Sequence, residues 1–156
     1  MVIIKEGMNA IDFILPDQNG IVRSLNNFKG KWLVLYFYPK DDTPGCTLEG
    51  IDFTRLLPEF YKLSVEVLGI SPDSLKSHCK FQLKHKLNVI LLSDIDKKTL
   101  QDYGVWGKKK FMGKAYEGVL RTTFLIDGKG VVRYIWENVR VEGHAQEVLE
   151  KVKMLL

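Results

Sequence analysis

Trp32-Leu-Val-Leu-Tyr-Phe-Tyr38, followed by Pro39-Lys-Asp-Asp-Thr-Pro-Gly45 and then Cys46, is the stretch that decides the architecture. The heptapeptide is apolar on both alternations, as expected of a central strand covered on both faces. Pro39 ends it, and Asp41 to Gly45 reads as a loop. From Cys46 to about Leu63, the residues Ile51, Phe53, Leu56, Leu57, Phe60 and Leu63 mark a helix. Pro58 inside it cannot donate to Thr54 and crowds that carbonyl, so a kink or break is expected there.

Outward from this unit, Ser64 to Ile70 is a second buried strand. Ser71-Pro-Asp-Ser74 starts a helix that runs to about Lys86. Val89 to Leu92 is a short strand and Asp96 to Tyr103 a short helix. Thr122 to Ile126 and Val131 to Trp136 are strands joined by the turn Asp127-Gly-Lys-Gly130. Gly143 to Leu156 closes the chain as a helix, with Val148, Val152 and Leu155 at helical spacing. Upstream, Ile11 to Leu15 and Val22 to Leu25 flank the turn signal Asp17-Gln-Asn-Gly20, a small hairpin. Strands alternating with helices make a parallel core, and the final hairpin adds antiparallel strands. The expected fold is therefore an α/β three-layer sandwich with a mixed central sheet and an N-terminal β-hairpin, a single domain over residues 1–156.

Composition narrows the function classes. The chain is 46% hydrophobic and 27% charged, enough apolar material for a core that needs no staples. The net charge is +4, with Lys108-Lys109-Lys110 as the only basic cluster. A nucleic-acid footprint is a stripe or patch on one face; this run reads as a solvated loop, and no nucleic-acid partner is expected. Two cysteines make no disulfide scaffold and fit a reducing compartment. The start, Met1-Val-Ile-Ile-Lys-Glu6, lacks the apolar stretch of a signal peptide. No run approaches the roughly 18 apolar residues of a membrane span. The expectation is a cytoplasmic protein with no membrane partner.

Chemistry centres on Cys46, which opens a helix at the carboxyl end of the central strand, where open α/β sheets build their sites. A helix N-terminus offers unpaired N–H groups and a positive partial charge. Both favour a thiolate, the nucleophilic form of cysteine. Pro44 suits a helix start, where its missing N–H costs nothing. A lone cysteine in an arbitrary helix is more often buried and inert, so the flanking residues matter.

Those residues form the pattern Pro39-x-x-x-Thr43-x-x-Cys46 within Tyr38-Pro-Lys-Asp-Asp-Thr-Pro-Gly-Cys-Thr-Leu-Glu-Gly50. It resembles the active-site signature of peroxiredoxins. Its Thr-Pro-Gly-Cys-Thr-x-Glu form is similar to the PrxQ, or bacterioferritin comigratory protein, branch. The resemblance continues in Gly69-Ile-Ser-Pro-Asp-Ser-Leu-Lys-Ser-His78, Leu91-Leu-Ser-Asp94 and Arg121-Thr-Thr-Phe-Leu-Ile-Asp127, and so covers nearly the whole chain. It implies a thioredoxin-like fold and a thiol-dependent peroxidase that reduces hydrogen peroxide and organic hydroperoxides in antioxidant defence. Cys46 resembles the peroxidatic cysteine, oxidised to a sulfenic acid. The resemblance gives Thr43 a hydrogen bond to peroxide and sulfur, and makes Pro39 a shield against water. Arg121 holds the thiolate and the developing oxyanion, and Glu49 orients Arg121. Each also has an ordinary reading: strand end for Pro39, helix cap for Thr43, surface charge for Arg121, solvated helix residue for Glu49. Thioredoxin or another thiol is the implied reductant, no cofactor is implied, and a monomer is expected from the branch.

Two departures concern the second half of the cycle. Many PrxQ proteins carry a resolving cysteine five residues after the first, where this chain has Ile51. Another subgroup places it on the helix after the next strand, at a position aligned with Gln82; here Cys79 lies one turn earlier. Cys79 could resolve Cys46 after local unwinding. Its stripe with Leu75 and Leu83 equally suits a buried spectator, which would leave a one-Cys enzyme. The spacings of His78, His85 and His144 suggest surface or capping roles and no metal site. A function from another class is a non-catalytic thioredoxin-like binding module or holdase, with an unreactive Cys46. The absence of Cys-x-x-Cys disfavours a dithiol–disulfide oxidoreductase.

Overall fold

The computed structural model describes residues 3–156. Met1 and Val2, part of the N-terminal reading above, lie outside the described residues. An antiparallel hairpin, β1 (Ile14–Pro16) and β2 (Val22–Ser24), precedes the main sheet. Its turn is organised by Asp17, whose carboxylate accepts from the backbone of Asn19 and Ile21 and from the side chain of Arg23.

The decisive heptapeptide forms β3 (Trp32–Phe37). It is followed by α1 (Pro44–Lys62), β4 (Val65–Ser71), α2 (Leu75–His85), β5 (Ile90–Ser93) and α3 (Lys98–Asp102). Next come β6 (Trp106–Phe111), β7 (Lys114–Val119), β8 (Thr122–Ile126), β9 (Val132–Trp136) and α4 (His144–Leu155). The sheet order is β5-β4-β3-β8-β9. β3, β4 and β5 are parallel, and β8 and β9 antiparallel, so the sheet is mixed. Alternate residues of β3 supply two cores. Val34 and Tyr36 pack with Phe53 and Phe60 of α1 and Val148 and Val152 of α4. Leu33, Leu35 and Phe37 pack on the other face with Phe13, Leu100 and Phe124. The three-layer α/β sandwich is as expected.

One close approach fixes α1 on the sheet. The Tyr36 ring stacks on Phe53 at 4.7 Å and lies across β4 at Gly69, its register partner. A β-carbon at Gly69 would fall 2.7 Å from the ring. Only glycine leaves room for it.

Four sequence expectations need correction. Of the kink or break expected at Pro58, the break does not occur: α1 runs on through the proline. Leu57 and Phe60 are buried on either side of the proline, and their packing outweighs the roughly 3 kcal/mol penalty of an interior proline. The lysine run is not a loop: it lies in β6, paired antiparallel with β7. Met112 and Gly113 at the hairpin tip both have positive φ, the geometry of a tight two-residue turn. The face of α2 turned inward is set by His78 and Phe81, not by the Leu75–Cys79–Leu83 stripe. Leu83 is 70% exposed and Cys79 only half-buried. His78 and His144 are correspondingly buried rather than superficial. Among the described residues no helix is long and apolar enough to cross a membrane.

Candidate active site

The site lies beyond the carboxyl end of β3. Phe37 pairs antiparallel with Thr122, so the residue before Thr122, Arg121, emerges beside the loop that follows β3. That loop enters α1 at Thr43, the N-cap, with Pro44 in the first turn. Cys46 is the third helical residue, where backbone N–H groups lack intrahelical partners.

The Thr43 hydroxyl does not cap the helix. It donates instead to the Lys40 carbonyl at 2.7 Å, which commits its proton and leaves its lone pairs to accept. Pro39 is half-buried directly after the strand. Cys46 is 2% exposed. Its sulfur receives Nη2 of Arg121 at 3.3 Å, while Nη1 of the same guanidinium donates to Glu49 Oε1 at 2.6 Å. One fork thus links a sulfur and a carboxylate from successive turns of α1, and the backbone carbonyl of Arg121 is itself held by the N–H of Val139. Glu49 is buried, not solvated, and its Oε2 has no hydrogen-bond partner.

Gly45 is a site residue that sequence reasoning missed. A β-carbon there would sit 3.3 Å from Arg121 Nη2. Its place in a Thr-Pro-Gly loop signals a turn, but the approach of a side chain 76 residues away leaves no local mark. The pairing of Asp41 with His78, at 2.6 Å, was missed for the same reason. Arg121 also has cationic company. Lys109 turns inward from β6 to donate to the Val119 carbonyl at 2.9 Å. Burial and the nearby Arg121 hold its ammonium below the usual lysine range.

Protonation equilibria follow from this packing. Burial pulls the Arg121 guanidinium down, but Glu49 and Cys46 more than offset it, so it stays charged. The cost of desolvation falls on Glu49, the more deeply buried partner: burial pushes its carboxyl from 4.5 up to about 7, against the pull of Arg121. Between those values the folded chain keeps a proton that the unfolded chain has lost. The stability contribution of Glu49 is therefore full below pH 4.5 and lost as pH rises through 7, on the order of 3 kcal/mol. His144 runs the other way. Burial and Arg121 push it from 6.5 down to about 4, so its contribution is present above 6.5 and lost as pH falls through 4. The two largely cancel. Removing one exposes the other: Glu49→Gln lacks the parent's loss between pH 4.5 and 7, so its stability should rise relative to the parent by about 3 kcal/mol across that interval. Urea unfolding at a series of pH values measures this, and parallel curves for parent and variant would refute it.

A thiol held in a helix start and bonded by a guanidinium suits attack on an electrophile that becomes anionic as it reacts. The comparisons with known proteins agree. The AhpC/TSA family model matches residues 7–135. The chain belongs to this family of peroxiredoxins. It is 43% identical over 150 residues to the peroxiredoxin Bcp of Bacillus subtilis, covering 96% of each chain. It superposes on Xylella fastidiosa PrxQ with a TM-score of 0.92, at 37% identity and 96% coverage of both chains. The Xanthomonas campestris bacterioferritin comigratory protein, studied for its alkyl peroxide reduction activity, gives 0.89 at 40% identity, covering 99% of this chain and 98% of that one. The peroxiredoxin is thus a thiol peroxidase of the Bcp branch, with the thioredoxin-like fold the sequence led us to expect.

Proposed function

We propose that this peroxiredoxin reduces hydrogen peroxide and organic hydroperoxides through Cys46, as a single-domain monomer of the cytoplasm. The observation that carries the reading is the bond from Arg121 to the buried sulfur of Cys46. The thiolate attacks one peroxide oxygen, the O–O bond breaks, and the other oxygen leaves as water or alcohol after taking up a proton. Sulfur is oxidised by two electrons to a sulfenic acid, which a thiol must then reduce. Arg121 stabilises the charge spreading from sulfur to oxygen. Thr43, its proton already donated to Lys40, accepts from the peroxide O–H. Pro39 shields the sulfur from water, and Glu49 orients Arg121. A thioredoxin-type protein or another thiol closes the cycle.

Cys79 is the proposed resolving thiol. Its half-exposed position on α2 supports this over a core spectator. The chain treated with one equivalent of hydrogen peroxide and analysed by mass spectrometry should carry either one added oxygen on Cys46 or a Cys46–Cys79 disulfide. An unmodified Cys46 would leave a non-catalytic binding module as the better reading.

A further inference from the structure

The hairpin of β6 and β7 stands apart from the main sheet. Among the described residues its strands pair with each other and with no other strand. A two-stranded ribbon with no third strand beside it is marginally stable in water. Its tip is nonetheless apolar: Phe111 is 67% exposed and Met112 88%. Lysines crowd behind it. Residues 106–119 hold Lys108, Lys109, Lys110 and Lys114 against one acid, Glu117, a net +3 on a chain whose total is +4. The register sets Lys108 opposite Glu117, Lys110 opposite Ala115 and Lys114 opposite Phe111. The two lysines nearest the tip therefore face no acid across the ribbon. The other end of the ribbon leads to the active site. Val119 ends β7 two residues before Arg121. Lys109, three residues or about 10 Å of strand behind Met112, lies in the field of both Arg121 and Cys46.

We propose that this ribbon docks the protein on an anionic phospholipid surface, with Phe111 and Met112 at the acyl boundary and Lys110 and Lys114 among the headgroups, so that Cys46 meets hydroperoxides carried by the bilayer. The order of groups along the ribbon carries the argument. Lys110 and Lys114 sit roughly 3–7 Å behind the apolar tip, and the apolar groups of interfacial segments reach about 5–10 Å into the boundary between headgroups and acyl chains. The charge is complementary, since basic residues at this depth are drawn to anionic lipids. The same lysines would meet the phosphates of a nucleic acid, but two exposed apolar side chains leading them favour a surface with hydrocarbon beneath its charge. The expectation of no membrane partner rested on the lack of a spanning segment, which a peripheral contact does not need. Delivery of substrate, unlike docking, rests on reading Cys46 as the peroxidatic thiol. In that step Cys46 takes the terminal oxygen, the O–O bond breaks, and the acyl chain keeps the other oxygen as a hydroxyl after taking up a proton.

Co-sedimentation of the full chain with vesicles reads docking without any peroxide. The chain should bind vesicles of phosphatidylcholine mixed with phosphatidylglycerol at low ionic strength, leave them as salt is raised, and ignore phosphatidylcholine alone. Lys110→Gln with Lys114→Gln should weaken binding about 25-fold, a factor of about five for each lysine. Phe111→Ser with Met112→Asn should weaken it about tenfold; asparagine accepts the positive φ of position 112. Both double variants should consume hydrogen peroxide at the parent's rate, yet lose about tenfold or more on a phospholipid hydroperoxide held in the anionic vesicles. A parent that does not bind those vesicles would overturn the proposal. So would a tip variant that binds as tightly as the parent, which would mark the ribbon as a plain cationic patch, or a tip variant with an altered oligomeric state by sedimentation equilibrium, which would give the tip to a second copy of the chain. Parental turnover of the vesicle hydroperoxide by the tip variant would overturn delivery. A parent that binds vesicles but consumes no hydrogen peroxide would overturn Cys46 as the peroxidatic thiol and leave docking standing.

Discussion

Cys46→Ser should reduce peroxide consumption to the uncatalysed background, a loss on the order of 10⁶-fold if the whole acceleration runs through this sulfur. Serine keeps the shape and suits a helix start, so the fold should persist. What it removes is the nucleophile. A hydroxyl at this helix start stays protonated at neutral pH and is a far weaker nucleophile than sulfur. Arg121 Nη2 would still point at the replaced atom, 3.3 Å from the sulfur position. The variant therefore separates the electrostatics of the site from its chemistry. Loss of hydrogen peroxide, followed colorimetrically with excess dithiol, checks the prediction. Undiminished turnover would sink the assignment of Cys46, and with it the proposed cycle.

The parts of this molecule legible in its sequence are those in which local pattern and burial coincide. Trp32 to Tyr38 reads as a central strand because both of its faces are covered, and both are. The hairpin of β6 and β7 escaped because most of its residues are exposed. Backbone pairing forms it, and no apolar alternation records that pairing. The lysines drew the reading toward a loop. On α2 the expected stripe failed for a different reason. A histidine stands at the centre of the buried face, made tolerable there by Asp41, 37 residues earlier. Hydrophobic periodicity cannot register a polar residue that is buried because a distant carboxylate meets it. The link between Cys46 and Arg121 spans 75 residues. Local spacing was silent about it, and only the family resemblance joined the two.

Arg121→Lys should lower kcat/KM for hydrogen peroxide by about 10²- to 10³-fold, the usual effect of removing one donor aimed at developing negative charge. The charge is conserved and the geometry is not. The guanidinium meets Glu49 Oε1 with Nη1 and Cys46 with Nη2 at the same time. An ammonium on a shorter, flexible stem is a point charge without that fork. Glu49 would capture it, since a buried carboxylate whose Oε2 already lacks a partner has the most to gain from a cation. The sulfur would then face no aimed donor when charge begins to move onto the peroxide. The loss should fall on the oxidation step rather than on resolution by thiols, because Arg121 holds Cys46 and Glu49 of α1. Stopped-flow oxidation of the reduced variant, beside its reduction by excess dithiothreitol, distinguishes the two. Adding Glu49→Gln to Arg121→Lys should recover part of the rate, because the amide competes less strongly for the ammonium. A double variant no faster than Arg121→Lys would show that Glu49 does not divert the lysine. An oxidation rate within about threefold of the parent in Arg121→Lys itself would show that charge alone, without the fork, is enough for this site.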